Sequence, residues 1–286
     1  MKPIVAIVAQ GAMGSGLARL LTAHGVQVLT ALSGRSDASR ARAAAAGMQA
    51  VPLEGLAQAD FILSILPPAH ALPFARSLVP ILRNAVRKPL FVDCNAVSPQ
   101  TLKSIAGVLR ETEAAFVDVG IIGLPPQGDY PGPRLYAAGK DAARLISLND
   151  YGLQICLLET PIGSASALKM AYAGISKGLT AVASSMILAA TRDGVAGQLQ
   201  RELAASEPLL LASLARRIPD MLPKAYRWVE EMEQIRQFAA ADPAAAEIYA
   251  GAGKLYERIA EDFSGAQLEI AAFDAFLSLS AGDPGE

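Results

Sequence analysis

A short glycine turn near the start of the chain has the residue types that bind a phosphate group. The segment Ala9–Gly16 follows an apolar run and precedes a helical stretch. Glycine at Gly11 lets backbone N–H groups approach a pyrophosphate, and glycine at Gly14 lets the helix pack closely on the strand. Ala9 stands where a further glycine is usual, and a turn without a ligand is the alternative. The turn residues that we predict to bind a dinucleotide are Gly11, Ala12, Met13 and Gly14.

The next loop indicates which dinucleotide would bind. An NAD site would have an Asp or Glu here for the ribose hydroxyls, but the loop Leu32–Ser36 contains no carboxylate. A guanidinium and hydroxyl groups suit a 2′-phosphate instead. We therefore predict that Ser33, Arg35 and Ser36 favour NADP, with NAD possible. A solvent-exposed loop arginine is the alternative.

A lysine and a tyrosine with helical spacing could perform acid–base chemistry. A lysine can accept the proton of a secondary alcohol if burial and a nearby charge lower its pKa from about 10.4 towards neutrality. Lys169 begins a long apolar stretch, and Tyr172 lies three residues on, on the same side of a helix. Because lysines are usually exposed, the alternative is a Lys169 that reaches solvent and a Tyr172 in the core.

Two polar residues follow the predicted strand Leu90–Asp93. Ligands of open α/β sheets bind at the carboxyl ends of strands, so we predict substrate or nicotinamide contacts for Asn95 and Ser98. Ser98 before Pro99 also has the pattern of a helix N-cap. His70 is expected on the surface, in the first turn of a helix.

The first half of the chain alternates short β-rich runs with helical stretches, which predicts βαβ units and a largely parallel, Rossmann-type sheet. The predicted strands are Ile4–Val8, Val26–Leu29, Phe61–Leu66, Leu90–Asp93, Phe116–Gly120 and Leu135–Ala138. The predicted helices between them are Met13–His24, Asp37–Ala46, Ala69–Leu82 and Pro99–Arg110.

The second half predicts helices only. One long amphipathic helix runs from Ala165 to Ala190, and further helices follow, broken at prolines. We therefore predict two domains, a dinucleotide-binding domain at 1–160 and an all-helical domain for substrate binding and dimerisation at 161–286. Arg227 and Glu231 are expected to pair on a helix surface, Trp228 to pack in the core, and the tail Ser280–Glu286 to fray.

Composition excludes several classes of protein. The 286 residues are 52% hydrophobic, with a net charge of −2 and neither sign in blocks, so neither nucleic acid nor an anionic membrane is an expected partner. Two cysteines and two histidines, widely separated, predict no metal site and a reducing cytoplasm. The start has no signal-peptide pattern. Lys169 and Lys177 inside the long helix favour a soluble protein over a membrane span.

Four segments together resemble the β-hydroxyacid dehydrogenase superfamily, which includes 6-phosphogluconate and 3-hydroxyisobutyrate dehydrogenases. They are the turn Gly11–Gly14, the loop Leu66–Pro68, the strand end Val92–Pro99 and the glycine-rich helix entry Gly163–Lys169. The resemblance implies a Rossmann-type domain, an all-helical C-terminal domain and a dimer whose long helices pack together. It also implies that Leu66, Pro67 and Asn95 face the cofactor and that Lys169 is catalytic. The stretch 223–232 resembles a helical domain of unassigned function in one sub-branch.

The chain departs from the family pattern at the substrate. Gly120–Leu124 stands where the family has a proline-valine-serine-glycine-glycine motif, so Ile122 occupies the position of the substrate-binding serine, beside Gly123. Tyr172 and Ala173 occupy the turn where an asparagine is usual. The resemblance implies an NADP-dependent oxidoreductase that interconverts a small hydroxy compound and its carbonyl. An imine reductase of the same fold and a non-catalytic NADP-binding sensor are the alternatives.

Overall fold

In a computed structural model of the chain, residues 2–279 are described, so the predicted frayed tail Ser280–Glu286 lies outside the described residues. The chain divides into two compact units that meet between Met170 and Ala171. The predicted domain boundary at residue 160 precedes the long helix, whereas the two compact units meet within it.

The first unit is built on an eight-stranded sheet in the order β3-β2-β1-β4-β5-β6-β7-β8. All neighbouring strands are parallel except β6 and β7. This arrangement confirms the Rossmann-type prediction. The strands are β1 Ile4–Val8, β2 Gln27–Ala31, β3 Gln49–Val51, β4 Phe61–Ser64, β5 Leu90–Asp93, β6 Phe116–Ile122, β7 Arg134–Ala138 and β8 Gln154–Leu157.

The two edge strands, β3 and β8, were not predicted. Both are short: β3 has three residues and is largely exposed, and β8 has four residues, of which one, Ile155, is buried. Central strands have the opposite pattern: Val5–Val8 of β1 is buried throughout. A parallel strand covered on both faces needs such a continuous apolar run.

Helices α1 Ala12–Ala23, α2 Asp37–Ala45, α3 Pro68–Asn84 and α4 Pro99–Leu109 connect the strands of the first unit. Their apolar faces form two hydrophobic cores with the sheet. One core contains Leu17 of α1, and the other contains Leu78 of α3 and Leu102 of α4. The sheet therefore supports the loops at the carboxyl ends of β1, β4, β5 and β6. A ligand site in an open α/β sheet is expected at these loops.

The long helix α5, Ser164–Arg192, begins in the first unit and continues into the second. The other helices of the second unit are α6 Ala196–Ser206, α7 Pro208–Met221, α8 Ala225–Phe238, α9 Pro243–Ser264 and α10 Leu268–Ser278. Prolines begin α7 and α9, as predicted. The predicted break at Pro219 was wrong, since α7 continues through it to Met221. The loss of one N–H is tolerated there because the helix ends within the same turn.

Lys177 anchors the second half of α5 within the helical unit. Its ammonium forms an ion pair with Glu231 and lies 4.7 Å from the ring centre of Trp228, and the hydroxyl of Tyr256 donates a 2.6 Å hydrogen bond to its carbonyl. The predicted surface pair of Arg227 with Glu231 is therefore wrong, because Lys177 takes the carboxylate. By length and composition alone α5 could cross a membrane, but this buried ion pair is typical of a helix inside a folded unit.

Candidate active site

The glycine turn leaves the N-terminus of α1 open to a ligand. Gly11 is the N-cap of α1, with extended backbone and no capping side chain, so the first amides of the helix have no intrahelical partner. No atom lies within 4 Å of the position that a Cβ on Gly11 would take. A pyrophosphate fits this arrangement, because it needs close backbone approach and free N–H donors.

Gly14 serves a different purpose in the same turn. A Cβ there would overlap the carbonyl oxygen of Ala9 and lie 3.4 Å from the side chain of Ile7. Glycine therefore allows α1 to pack directly on the end of β1. The structure thus gives Gly14 the helix–strand packing role that the spacing predicted, and it leaves open space at Gly11.

Two residues beside the turn were missed in the sequence. Gln10 is 1% exposed, and its amide nitrogen donates to Thr30 and, at 3.2 Å, to the carbonyl of Ala31, which ties the turn to β2. The Nε of Arg42 donates a 2.7 Å hydrogen bond to the carbonyl of Gln10. A guanidinium therefore lies against the glycine turn. Its position on α2, eleven residues after β2, carried no local signal.

The predicted 2′-phosphate residues lie in the loop between β2 and α2. Ser33 is exposed and Arg35 is half-buried. Ser36 is the N-cap of α2, and its hydroxyl accepts a 3.4 Å hydrogen bond from the amide of Ser39. Arg42 donates a 3.1 Å hydrogen bond to the hydroxyl of Ser39. Arg35 lies in this loop and Arg42 lies on α2 against the glycine turn, so two cations follow β2.

Asn95 lies under the loop that follows β4 and is only 3% exposed. Its amide nitrogen donates to Asp93, at 2.8 Å, and to Ser64, at 3.0 Å. Its amide oxygen accepts a 2.6 Å hydrogen bond from the backbone of Leu66. Both ends of the Asn95 amide are therefore occupied, and the residue holds the Leu66–Pro67 loop in place.

Asp93, at the end of β5, is a site residue that the sequence analysis did not single out. It is 1% exposed, and burial raises its pKa to about 7 against the hydrogen bonds from Asn95. The signal was present, because a carboxylate ending an apolar central strand is rare unless it has a partner. Ser98, three residues beyond Asn95, is fully buried and is the N-cap of α4.

Asp118 on β6 determines where α5 begins. Its Oδ2 accepts hydrogen bonds from the amides of Gly163, Ala165 and Ser166 at 2.8, 3.0 and 3.1 Å, and Oδ1 accepts one from the Ser166 hydroxyl at 2.7 Å. Burial raises the pKa of this carboxyl, and these four hydrogen bonds oppose the rise. A carboxylate on a neighbouring strand therefore caps the helix in the way that an N-cap side chain does. The sequence analysis missed it.

Gly120, two residues after Asp118, brings Lys169 onto the sheet. A Cβ on Gly120 would lie 2.6 Å from the carbonyl oxygen of Ala165 and 3.3 Å from the Cβ of Lys169. Glycine is therefore required for α5 to lie directly against β6. Lys169 is half-buried on this contact, and Tyr172, further along α5, is 51% exposed.

The remaining predicted residues lie at the end of β6. Ile122 is half-buried and is the last residue of the strand. Gly123 has a φ of 131°, in the region that favours glycine, and a Cβ there would lie 2.6 Å from the hydroxyl of Tyr130.

His70 is exposed in the first turn of α3, as predicted. No cluster of metal-ligating side chains occurs within residues 2–279.

Comparison with known families assigns both parts of the chain. Residues 4–143 match the NAD binding domain of 6-phosphogluconate dehydrogenase. Residues 190–259 match a domain of unknown function, DUF1932. The first unit is an NAD(P)-binding domain. This agrees with the predicted cofactor and with the resemblance in the sequence, and the chain combines this domain with a DUF1932 helical domain.

Two relatives are similar to this chain over most of its length. An uncharacterized 28.5 kDa protein of Methanothermus fervidus is 27% identical over 216 residues, 74% of this chain and 82% of that protein. A conserved protein of unknown function with structural similarity to 3-hydroxyacid dehydrogenases is 28% identical, with a TM-score of 0.67 over 91% of this chain and 97% of the other.

Two more distant structures share the fold. The 3-hydroxyisobutyrate dehydrogenase of Mycobacterium tuberculosis, studied with L-serine, has a TM-score of 0.72 and 16% identity over 96% of this chain and 99% of the other. An imine reductase from Myxococcus stipitatus, in complex with NADP⁺, has a TM-score of 0.55 and 16% identity over 96% of this chain and all of the other. The β-hydroxyacid dehydrogenase-like fold is therefore established.

Proposed function

We propose that the protein is an NADP-dependent oxidoreductase that interconverts a small hydroxy compound and its carbonyl, with Lys169 as the acid and base. The observation that carries the proposal is the contact of Lys169 with Gly120. Lys169 lies on α5, and Asp118 of β6 caps the start of this helix. Gly120 is on the same strand, which ends at Ile122. Asp118 and Gly120 together hold this helix entry against the sheet.

Each group of residues has a separate task in this reaction. A nicotinamide dinucleotide, when bound, would supply the hydride chemistry between the alcohol and the carbonyl. Gly11 and the open end of α1 bind the pyrophosphate, and Asn95 holds the Leu66–Pro67 loop. The amine of Lys169 takes the hydroxyl proton during oxidation and returns it during reduction. Tyr172 orients this amine or relays its proton.

We attribute the preference for NADP to Arg35 and Arg42 together. Arg42 is held by its Nε to Gln10 and by a second nitrogen to Ser39, so its guanidinium is already oriented before a 2′-phosphate binds. The test measures dissociation constants for NADP⁺ and NAD⁺ in the variants R35Q, R42Q and R110Q, the last a control that follows α4 and precedes β6. We expect R35Q and R42Q to weaken NADP⁺ about 10-fold each and to leave NAD⁺ unchanged. Equal losses for both nucleotides would refute the assignment.

The reaction itself is tested with Lys169. We expect Lys169→Ala to lower kcat about 1,000-fold with NADPH affinity unchanged, because general acid–base catalysis typically contributes this much. Two outcomes favour the alternatives. Turnover of cyclic imines but not of hydroxy acids or aldehydes would indicate an imine reductase. Tight NADPH binding with no turnover of any of these classes would indicate a sensor.

We also propose a cytoplasmic homodimer that pairs through α5. A stripe of residues with exposed apolar side chains repeats at steps of three and four along this helix: Tyr172, Ile175, Leu179, Val182 and Met186, each 43–73% exposed. Such spacing is typical of a helix that packs against a second helix.

Sedimentation tests this dimer. We expect a dimer for the wild type and a monomer for I175E. The control L209E, which replaces an isolated exposed leucine on α7, should remain a dimer. A wild-type monomer at micromolar concentration would refute the dimer.

A further inference from the structure

The register of β6 and β7 places an arginine beside the substrate end of the site. Ile122, the last residue of β6, pairs directly with Arg134, the first residue of β7, and Gly120 pairs with Tyr136. Directly opposite residues of antiparallel strands project from the same face of the sheet, about 5 Å apart at Cα. Arg134 therefore projects from the face on which Lys169 lies against Gly120.

Arg134 is available for a ligand. It is exposed, and the described part of the chain, residues 2–279, contains no side-chain hydrogen bond or ion pair to it. It is also the one basic residue between Phe116 and Ala138. Asp129, in the connecting loop, is exposed and makes no ion pair with it.

The residues Ile122, Gly123 and Leu124, at and after the end of β6, have no side chain that could bind an anion. Ile122 is apolar, Gly123 has no side chain, and Leu124 is 62% exposed. A guanidinium beside apolar residues can orient a carboxylate, because its planar group donates two parallel hydrogen bonds.

We propose that Arg134 is the specificity-determining residue that binds the carboxylate of the substrate. The proposal rests on the proposed function and deepens it, since it makes the substrate a hydroxy or oxo acid rather than a neutral carbonyl compound or imine. Arg134 does not take part in proton transfer. It fixes the end of the substrate remote from Lys169.

The experiment compares acids with their neutral esters. The NADPH complexes of the wild type, R134Q, R134K and R110Q are titrated with 3-hydroxybutyrate and 3-hydroxyisobutyrate and with the methyl ester of each, and binding is followed by thermal shift. Turnover of the same four compounds is measured with NADP⁺. Arg110 is a matched control, because it is an exposed arginine of the same unit at the opposite end of β6.

We expect the wild type and R110Q to bind the acids more tightly than the esters. In R134Q the acids should bind about 10- to 100-fold more weakly, with the esters unchanged, and R134K should recover part of the loss. Equal effects on acids and esters, or a wild type that prefers esters or binds neither class, would overturn the proposal. Charge-dependent binding without any turnover in the wild type would instead contradict the proposed reaction and leave the anion site established.

Discussion

The carboxylate of Asp118 accepts a 2.7 Å hydrogen bond from the hydroxyl of Ser166, and the two residues are 48 positions apart in the chain. The same carboxylate accepts three amide hydrogen bonds from the first turn of α5. One buried side chain on β6 thereby sets the start and direction of the helix that carries Lys169.

Replacing Asp118 should therefore affect catalysis through Lys169. We expect Asp118→Ala to destabilise the fold by about 2–4 kcal/mol, because several buried donors lose their acceptor. Asp118→Asn, which keeps one acceptor oxygen, should cost less. In the fraction that remains folded, kcat should fall at least 10-fold in D118A with little change in NADPH affinity, and D118N should recover part of it. A D118A protein with wild-type kcat would show that Lys169 is positioned by other contacts.

The two glycines of the turn should respond in opposite ways to the same substitution. Gly11→Ala meets open space and an unstrained backbone, so we expect wild-type thermal stability but at least 10-fold weaker NADP⁺ binding, since the added methyl occupies the phosphate approach. Gly14→Ala forces α1 away from Ala9 and should lower stability by about 2 kcal/mol or more. Each variant is the control for the other. Tight NADP⁺ binding by G11A would refute this location for the pyrophosphate.

Asp93 should make stability depend on pH. Its pKa is about 7 in the folded protein, against 3.8 for an ordinary aspartate, so the folded state holds a proton that the unfolded chain has lost over this range. Stability therefore falls as the pH rises from about 4 to about 7. In Asp93→Asn this contribution is absent.

The measurement is the free energy of unfolding by urea at several pH values for the wild type and D93N. We expect the difference between the two proteins to change by up to about 4 kcal/mol across the window. Titrating groups that do not interact with Asp93 contribute equally to both proteins and cancel, whereas the charge of Asp118 interacts with Asp93 and is part of the measured difference. Parallel profiles would mean that Asp93 is ionised throughout.

Removing one charge of the Lys177–Glu231 pair should destabilise the protein more than removing both charges. The two side chains are 15% and 19% exposed. Burial lowers the pKa of Lys177, and Glu231 opposes that change. We expect Glu231→Gln to destabilise the protein by about 2–4 kcal/mol, because it leaves the ammonium buried without its counter-charge. The double variant K177M/E231L should be less destabilised than E231Q. Glu230→Gln, at an exposed neighbouring position, is the control. A double variant that is as destabilised as E231Q, or more so, would refute the coupling.

Local pattern was sufficient to predict the fold class and the cofactor turn. The continuous apolar run Ile4–Val8 predicted a central strand, and the spacing of Gly11 and Gly14 predicted a strand–turn–helix for a dinucleotide. These features depend on residues close together in the chain, so composition and spacing carry them directly. The edge strand Gln49–Val51 was missed because few of its side chains are buried.

Only the tertiary structure revealed the residues that act across the fold. Arg42 reaches Gln10 from 32 residues away, and Asp118 reaches Ser166 across 48. The pairing of Arg134 with Ile122 depends on the register of two antiparallel strands. The sequence alone indicated that a lysine begins the long helix. Where that lysine lies was decided by a buried carboxylate and a glycine on β6, because long-range hydrogen bonds and close packing leave no periodic trace in the chain.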